Sequence, residues 1–199
     1  MGEMNANLAA LIGSRICHDL ISPIGAINNG LELLNISGES TGPEIGLIGQ
    51  SVDHASARIR FFRIAFGAAG EQMVGEAEVS SILGGLYDSS NRTAVQWQVK
   101  DAVMRSEVRL AFLAILCADA AMPYGGTITV TKKGRKWRFA GVADRISVDS
   151  ALWDLISGAG SAKDLQPANV QFALLPLIAR ENGLKVFFQS DETSLLVEF

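Results

Sequence analysis

Residues 16–34 read ICHDLISPIGAINNGLELL, and the spacing of apolar residues in and just before this stretch predicts one long helix. At about 100° per residue, Leu8, Ile12, Ile16, Leu20, Ile24, Ile27, Leu31 and Leu34 fall into a single broad stripe. His18 projects from the opposite side, where its helical neighbours Ser14, Ser22, Gly25 and Asn29 are small or uncharged. Such a surround leaves an imidazole that another protein can reach. Pro23 has no N–H to offer the carbonyl of Asp19, so a bend or loosening is expected within one turn of the histidine. Asp19 follows His18 directly and is placed to orient the ring or handle its proton.

Outward from this stretch, the helix is expected over 7–36, ended by SGESTGP at 37–43 with its two glycines and proline. A second helix starts at once. Ile45, Ile48, Val52, Ala55, Ile59, Phe62 and Phe66 recur at alternating three- and four-residue steps, the seam of a heptad pattern. A short loop pairs the two helices as an antiparallel hairpin. Two helices alone leave apolar faces uncovered, and Ile21, Leu33, Phe61 and Ile64 add to that surface. Two hairpins joined in a four-helix bundle would cover it, which predicts a homodimer.

Beyond the breaker-rich 65–78 the pattern changes. Helices are expected at 79–87, 107–121, 150–155 and 168–182. Strands are expected at 94–99, 127–131, 136–142, 184–189 and 194–199, with a hairpin turn at Lys133-Gly134. The fold class is therefore α+β: a helical hairpin over 1–69, followed by an α/β sandwich over 70–199 with helices on one face of a mixed sheet. The chain has 199 residues, 48% hydrophobic and 19% charged, with net charge −4, which argues against disorder and against a nucleic-acid partner. No apolar run is long enough to cross a bilayer, and the N-terminus lacks a signal-peptide pattern, so a soluble cytoplasmic protein is expected. Cys17 and Cys117 lie far apart within helical patterns and are read as reduced, Cys17 as a packing residue. The His and Cys spacing does not suit zinc.

HDLISPI resembles the H-box of the dimerisation and phosphotransfer domains of histidine kinases, which typically reads His-Glu-Leu-x-x-Pro-Leu. The longer run CHDLISPIGAINNGLELL closely resembles the ChpT-type histidine phosphotransferases of alphaproteobacterial phosphorelays. The second half is similar to the histidine-kinase ATP-binding domain. LAILCADAAMPYGGTITV at 113–130 is similar to an N-box helix leading into a Gly-Gly turn and a strand, and VQFALLPLIARENGLKVFF at 170–188 to the stretch after the last glycine box. The nucleotide-binding groups are missing. Ile115 and Asp119 stand where magnesium-binding asparagines belong, ADRISV at 143–148 replaces an Asp-x-Gly-x-Gly turn, and PANVQF at 167–172 replaces the Gly-x-Gly-Leu lid. Backbone amides approach phosphate closely only where no Cβ intervenes, so three such losses imply a retained fold that no longer binds ATP. Asp119 or Asp144 alone does not make a magnesium site.

The resemblance implies a relay in which His18 takes phosphate from the receiver domain of a hybrid kinase and passes it to response regulators such as CtrA. Neutral imidazole is a competent nucleophile, and free histidine titrates near 6.5. No cofactor is expected on this chain, and the Mg²⁺ that offsets phosphoryl charge would come from the receiver. His18 and Asp19 are the candidate catalytic residues. Ser14, Arg15, Ser22, Gly25, Asn29 and Arg58 form the candidate partner surface, with Ser22 and Gly25 acting by being small and Pro23 structural. His54 is read as a half-exposed surface residue, and Arg60 and Arg63 as part of a solvated basic face. Two other readings compete: an active histidine kinase with a divergent ATP site, and a non-catalytic dimeric adaptor that binds receivers.

Overall fold

The computed structural model describes residues 2–37, 43–68, 70–87, 91–162 and 164–199. Helices α1 (Gly2–Ser37) and α2 (Pro43–Ala65) pack as a hairpin. Most of the breaker-rich link, residues 38–42, lies outside the described residues. α1 continues as one helix through Pro23. Pro23 and Gly30, seven residues apart and so on one face, are both buried. A Cβ on Gly30 would meet Cγ1 of Ile48 at 2.6 Å, so its missing side chain is what lets the two helices approach here.

The heptad seam of α2 divides into two rows. Ile48 and Ala55 are half-buried and Phe62 is buried, whereas Ile45, Val52 and Ile59 stay 44%, 44% and 53% exposed. Past Ala57 the helix enters the second lobe, burying Phe61, Ile64 and Ala65. The ring of Phe61 lies flat on that of Phe112, with centroids 4.4 Å apart and planes 1° from parallel. Phe61 and Ile64 therefore depart from expectation: the chain's own second lobe covers them, while Ile21 and Leu33 remain exposed. Spacing along a helix says which residues share a face but not what lies opposite it.

The second lobe has two layers. A five-stranded sheet runs in the order β2 (Thr93–Trp97), β4 (Gly126–Lys133), β5 (Lys136–Val142), β7 (Ser194–Glu198), β6 (Phe187–Ser190), parallel between β2 and β4 and antiparallel elsewhere. Its register aligns Trp97, Val130, Phe139, Val197 and Phe188 as one row across the sheet, and the period-2 alternation puts such rows toward the helices. Against that face pack α3 (Glu76–Leu86), α4 (Arg105–Ala120), α5 (Ser150–Ser157) and α6 (Val170–Glu181). α4 is the centre of the core: Leu110 to Ala118 are all buried, which is why its sequence is apolar around its whole circumference. A two-residue ribbon, β1 (Met73–Val74) with β3 (Val103–Met104), falls where only turns are expected, since two residues carry no readable alternation.

The Gly-Gly turn before β4 has a steric basis. Gly125 has φ of 90°, and a Cβ there would meet the carbonyl oxygen of Arg92 at 2.1 Å. On Gly126 it would meet that of Val142 at 2.5 Å. These contacts dock the turn against the start of β2 and the end of β5. Because Phe61 is enclosed on both lobes, Phe61→Ala is expected to cost about 3–5 kcal/mol, measured as a lower denaturant midpoint. Gln50→Ala, at an exposed position of the same helix outside the heptad row, should change the same midpoint by under about 1 kcal/mol.

Candidate functional site

α1 holds His18 outward, its side chain 82% exposed, whereas the adjacent Asp19 is only 12% exposed. The Nδ1 of His18 stands 3.1 Å from Oδ1 of Asp19. An ionised carboxylate only accepts hydrogen bonds, so the proton of a neutral ring must sit on Nδ1. The Nε2 lone pair is then left free toward solvent, the tautomer a nucleophile requires.

Asp19 is in turn held from behind. Nε of Arg15 donates to its Oδ2 at 2.7 Å across one helical turn, and Nη1 of Arg58 on α2 lies 3.9 Å from the same oxygen. Two guanidinium groups thus offset the cost of drawing a carboxylate out of water. Arg15 is itself only 17% exposed, and its Nη1 donates to the carbonyl oxygen of Ala168 in a 3-10 turn (Pro167–Asn169) of the second lobe. Arg15, expected on the partner surface, thus has its Nε and Nη1 engaged by acceptors within the chain. Arg58 is 36% exposed and keeps contact with solvent.

Ser14, Ser22 and Asn29 are exposed, and a Cβ on Gly25 would meet nothing within 4 Å. The surface flanking His18 is therefore low and open. Cys17, expected as packing, is exposed instead, and His54 is half-buried on α2. Arg60 donates to Ser81 at 3.5 Å, and the carbonyl of Arg63 accepts from Arg105 at 2.8 Å, so these residues tie α2 to the second lobe as well as solvating it.

Behind the arginines lie two groups from the second lobe, Tyr87 and Asp119, both within the electrostatic reach of Arg15. Burial raises the Asp119 carboxyl above its usual range, opposed by a hydrogen bond from the Thr93 hydroxyl and by Arg15. Burial, with Asp119 adding to it, lifts the Tyr87 phenol well above its ordinary value, while Arg15 and Arg58 pull the other way. Tyr87 carries no local signal that would single it out; only packing brings it to this cluster. Asp119 is a single carboxylate already bonded to Thr93, which does not fit a magnesium ion. Among the described residues no group of three or more His, Cys, Asp or Glu side chains is disposed to hold a metal. Ile115, at the other position of interest on α4, is fully buried.

The raised carboxyl of Asp119 has a consequence for stability. Folded protein binds that proton more tightly than unfolded protein does, so the ionised form costs stability at neutral pH. The cost shrinks as pH falls through the raised folded value and is gone below the unfolded value of about 3.9. Asp119→Asn, which keeps an acceptor for Thr93, is expected to raise the melting temperature at pH 7 and leave it unchanged near pH 3.5.

A family model for the histidine phosphotransferase C-terminal domain matches residues 76–194. The protein phosphotransferase ChpT of Brucella abortus is 34% identical over 189 residues, spanning 90% of this chain and 88% of that protein. A solved bacterial phosphotransferase superposes with a TM-score of 0.81 at 31% identity, covering 97% of this chain and 95% of the other. Among the described residues no helix is long and apolar enough to cross a membrane.

Proposed function

The chain belongs to the ChpT-type histidine phosphotransferase family, and from that premise we propose that His18 is its phosphoacceptor, taking phosphate from the receiver domain of a hybrid histidine kinase and passing it to response regulators of the CtrA kind. The observation that carries this reading is an exposed imidazole whose Nδ1 is held by a nearly buried, doubly ion-paired Asp19. Nε2 attacks the phosphorus of a receiver phosphoaspartate, the P–O bond to the receiver's carboxylate breaks, and an N–P bond forms. With Nδ1 still protonated, the phosphorylated ring is an imidazolium. The Asp19 carboxylate stabilises that charge and gives it up again when the phosphoryl group moves to a second aspartate. Ser22, Gly25, Ser14 and Asn29 serve by standing low enough for the receiver to reach the ring, and Arg58 lends its exposed cation to a receiver's acidic pocket.

The divalent cation that offsets phosphoryl charge is supplied by the receiver in this reading, since the one carboxylate at the magnesium position, Asp119, is engaged elsewhere. The second lobe acts as a scaffold without ATP chemistry. In its support, the segment aligned with a glycine-rich lid is a 3-10 turn begun by Pro167, and Ile115 points into the core. The protein works as a cytoplasmic homodimer and needs neither nucleic acid nor membrane. The open row Ile45, Val52 and Ile59, with Ile21, Ile24 and Leu31 of α1, supplies the apolar surface for a four-helix bundle.

Transfer of labelled phosphate from a phosphorylated receiver tests the reading, with His18→Ala and an ATP-only incubation alongside. Label should enter the wild type, be absent from His18→Ala, and never be acquired from ATP. Direct labelling by ATP would instead identify a kinase, and no label from any receiver a binding adaptor. For the dimer, Val52→Glu combined with Ile59→Glu should halve the mass seen in sedimentation equilibrium. Each residue gives up about 1.5–3 kcal/mol of burial and places a charge in the seam.

A further inference from the structure

Arg15 lies one helical turn before the proposed phosphoacceptor and joins three parts of the molecule. Its Nε holds Oδ2 of Asp19 at 2.7 Å, and the opposite carboxylate oxygen holds His18 at 3.1 Å. Its Nη1 is bonded to the carbonyl of Ala168, 153 residues away in sequence and in the other lobe. A residue meant to grasp a partner would offer its guanidinium to solvent, yet this side chain is only 17% exposed. The Ala168 carbonyl sits in a turn begun by Pro167 and closed by the amide of Asn169 on the carbonyl of Gln166 at 2.9 Å, so it is a firm anchor.

Resting on the assignment of His18 as phosphoacceptor, we infer that Arg15 is a positioning residue for phosphoryl transfer, a strut through which the Pro167–Asn169 turn of the second lobe fixes Asp19 and thereby the orientation of the His18 ring. The planar fork of arginine suits this task because its arms diverge toward two fixed acceptors at once. A lysine ammonium is a single point that satisfies one acceptor and leaves the other. The second lobe thereby has a direct part in the chemistry. When it is correctly seated against α1, Asp19 is held with one oxygen toward Nδ1. When the strut is cut, the carboxylate gains rotamers and the ring loses its fixed tautomer and direction.

The test measures phosphorylation of the full chain with two donors. One is phosphoramidate, too small to need docking: His18 Nε2 attacks phosphorus, the donor's P–N bond breaks, and ammonia leaves as the new N–P bond forms. The other is a phosphorylated receiver domain over a concentration series. Arg15→Ala is expected to slow both donors by the same factor, roughly 10- to 100-fold, with the receiver concentration for half-maximal rate unchanged. Arg15→Lys should fall between it and the wild type. Loss with the receiver alone, a raised half-maximal concentration and a normal phosphoramidate rate would make Arg15 a docking residue and overturn the inference. Pro167→Gly loosens the anchor without touching α1, and guards against an Arg15 variant that fails to fold. It should slow both donors in the same way, and its effect should be less than additive with that of Arg15→Lys. Full additivity, or no effect of Pro167→Gly, would overturn the strut. A wild type labelled by neither donor would instead refute the assignment of His18 itself.

Discussion

A pair of long antiparallel helices cannot bury all of its own apolar surface, and where the excess goes determines the rest of this structure. Toward its end, α2 spends that surface inside the second lobe, with Phe61 flat against Phe112 and with Ile64 and Ala65 enclosed. The sandwich is thus built around the base of the hairpin and is not a module hung from it. That seating brings α1 against the Pro167–Asn169 turn and gives Arg15 a partner in the other lobe. Toward its start, α2 leaves one heptad row open, on a surface separate from the buried joint.

The site satisfies two opposed demands. In the proposed relay a group that exchanges phosphate with proteins must stand in solvent, yet a ring in solvent on a flexible χ1 has no fixed direction. The chain resolves this over two consecutive residues, leaving His18 exposed while drawing Asp19 inward. Taking a carboxylate out of water carries a penalty that nearby cations offset. Arg15 contributes from α1 at 2.7 Å and Arg58 from α2 at 3.9 Å, so both helices of the hairpin bring a cation to Asp19.

The geometry of the helical stretch at 16–34 was legible because its parts are local. Stripe, histidine, acid, small neighbours and proline all lie within a few helical turns, and helical spacing converts directly into position. The β4–β5 hairpin and the helix stop at Gly183, with φ of 68°, were legible for the same reason. What lay beyond reading is what tertiary contact decides. The heptad pattern picked out Phe62 and Ile59 alike without saying that one faces the core and the other solvent. Arg15 looked like surface because its acceptor, a main-chain carbonyl, carries no residue signature at all. Tyr87 and Asp119 reach the arginines only through the packing of α3 and α4.

A phosphate lid and a brace place incompatible demands on one segment. A lid needs glycines so that amides can approach an anion and so that the loop can open and close. A brace needs a carbonyl held in one place, which a proline-initiated 3-10 turn provides and a run of glycines does not. In this chain the segment at 167–172 has proline and β-carbon-bearing residues throughout, and its turn is bonded to α1. Restoring glycines there would free the very carbonyl that anchors Arg15. If Arg15 is the strut proposed above, the proline-begun turn at Pro167–Asn169 suits a support for the histidine better than it suits a phosphate lid.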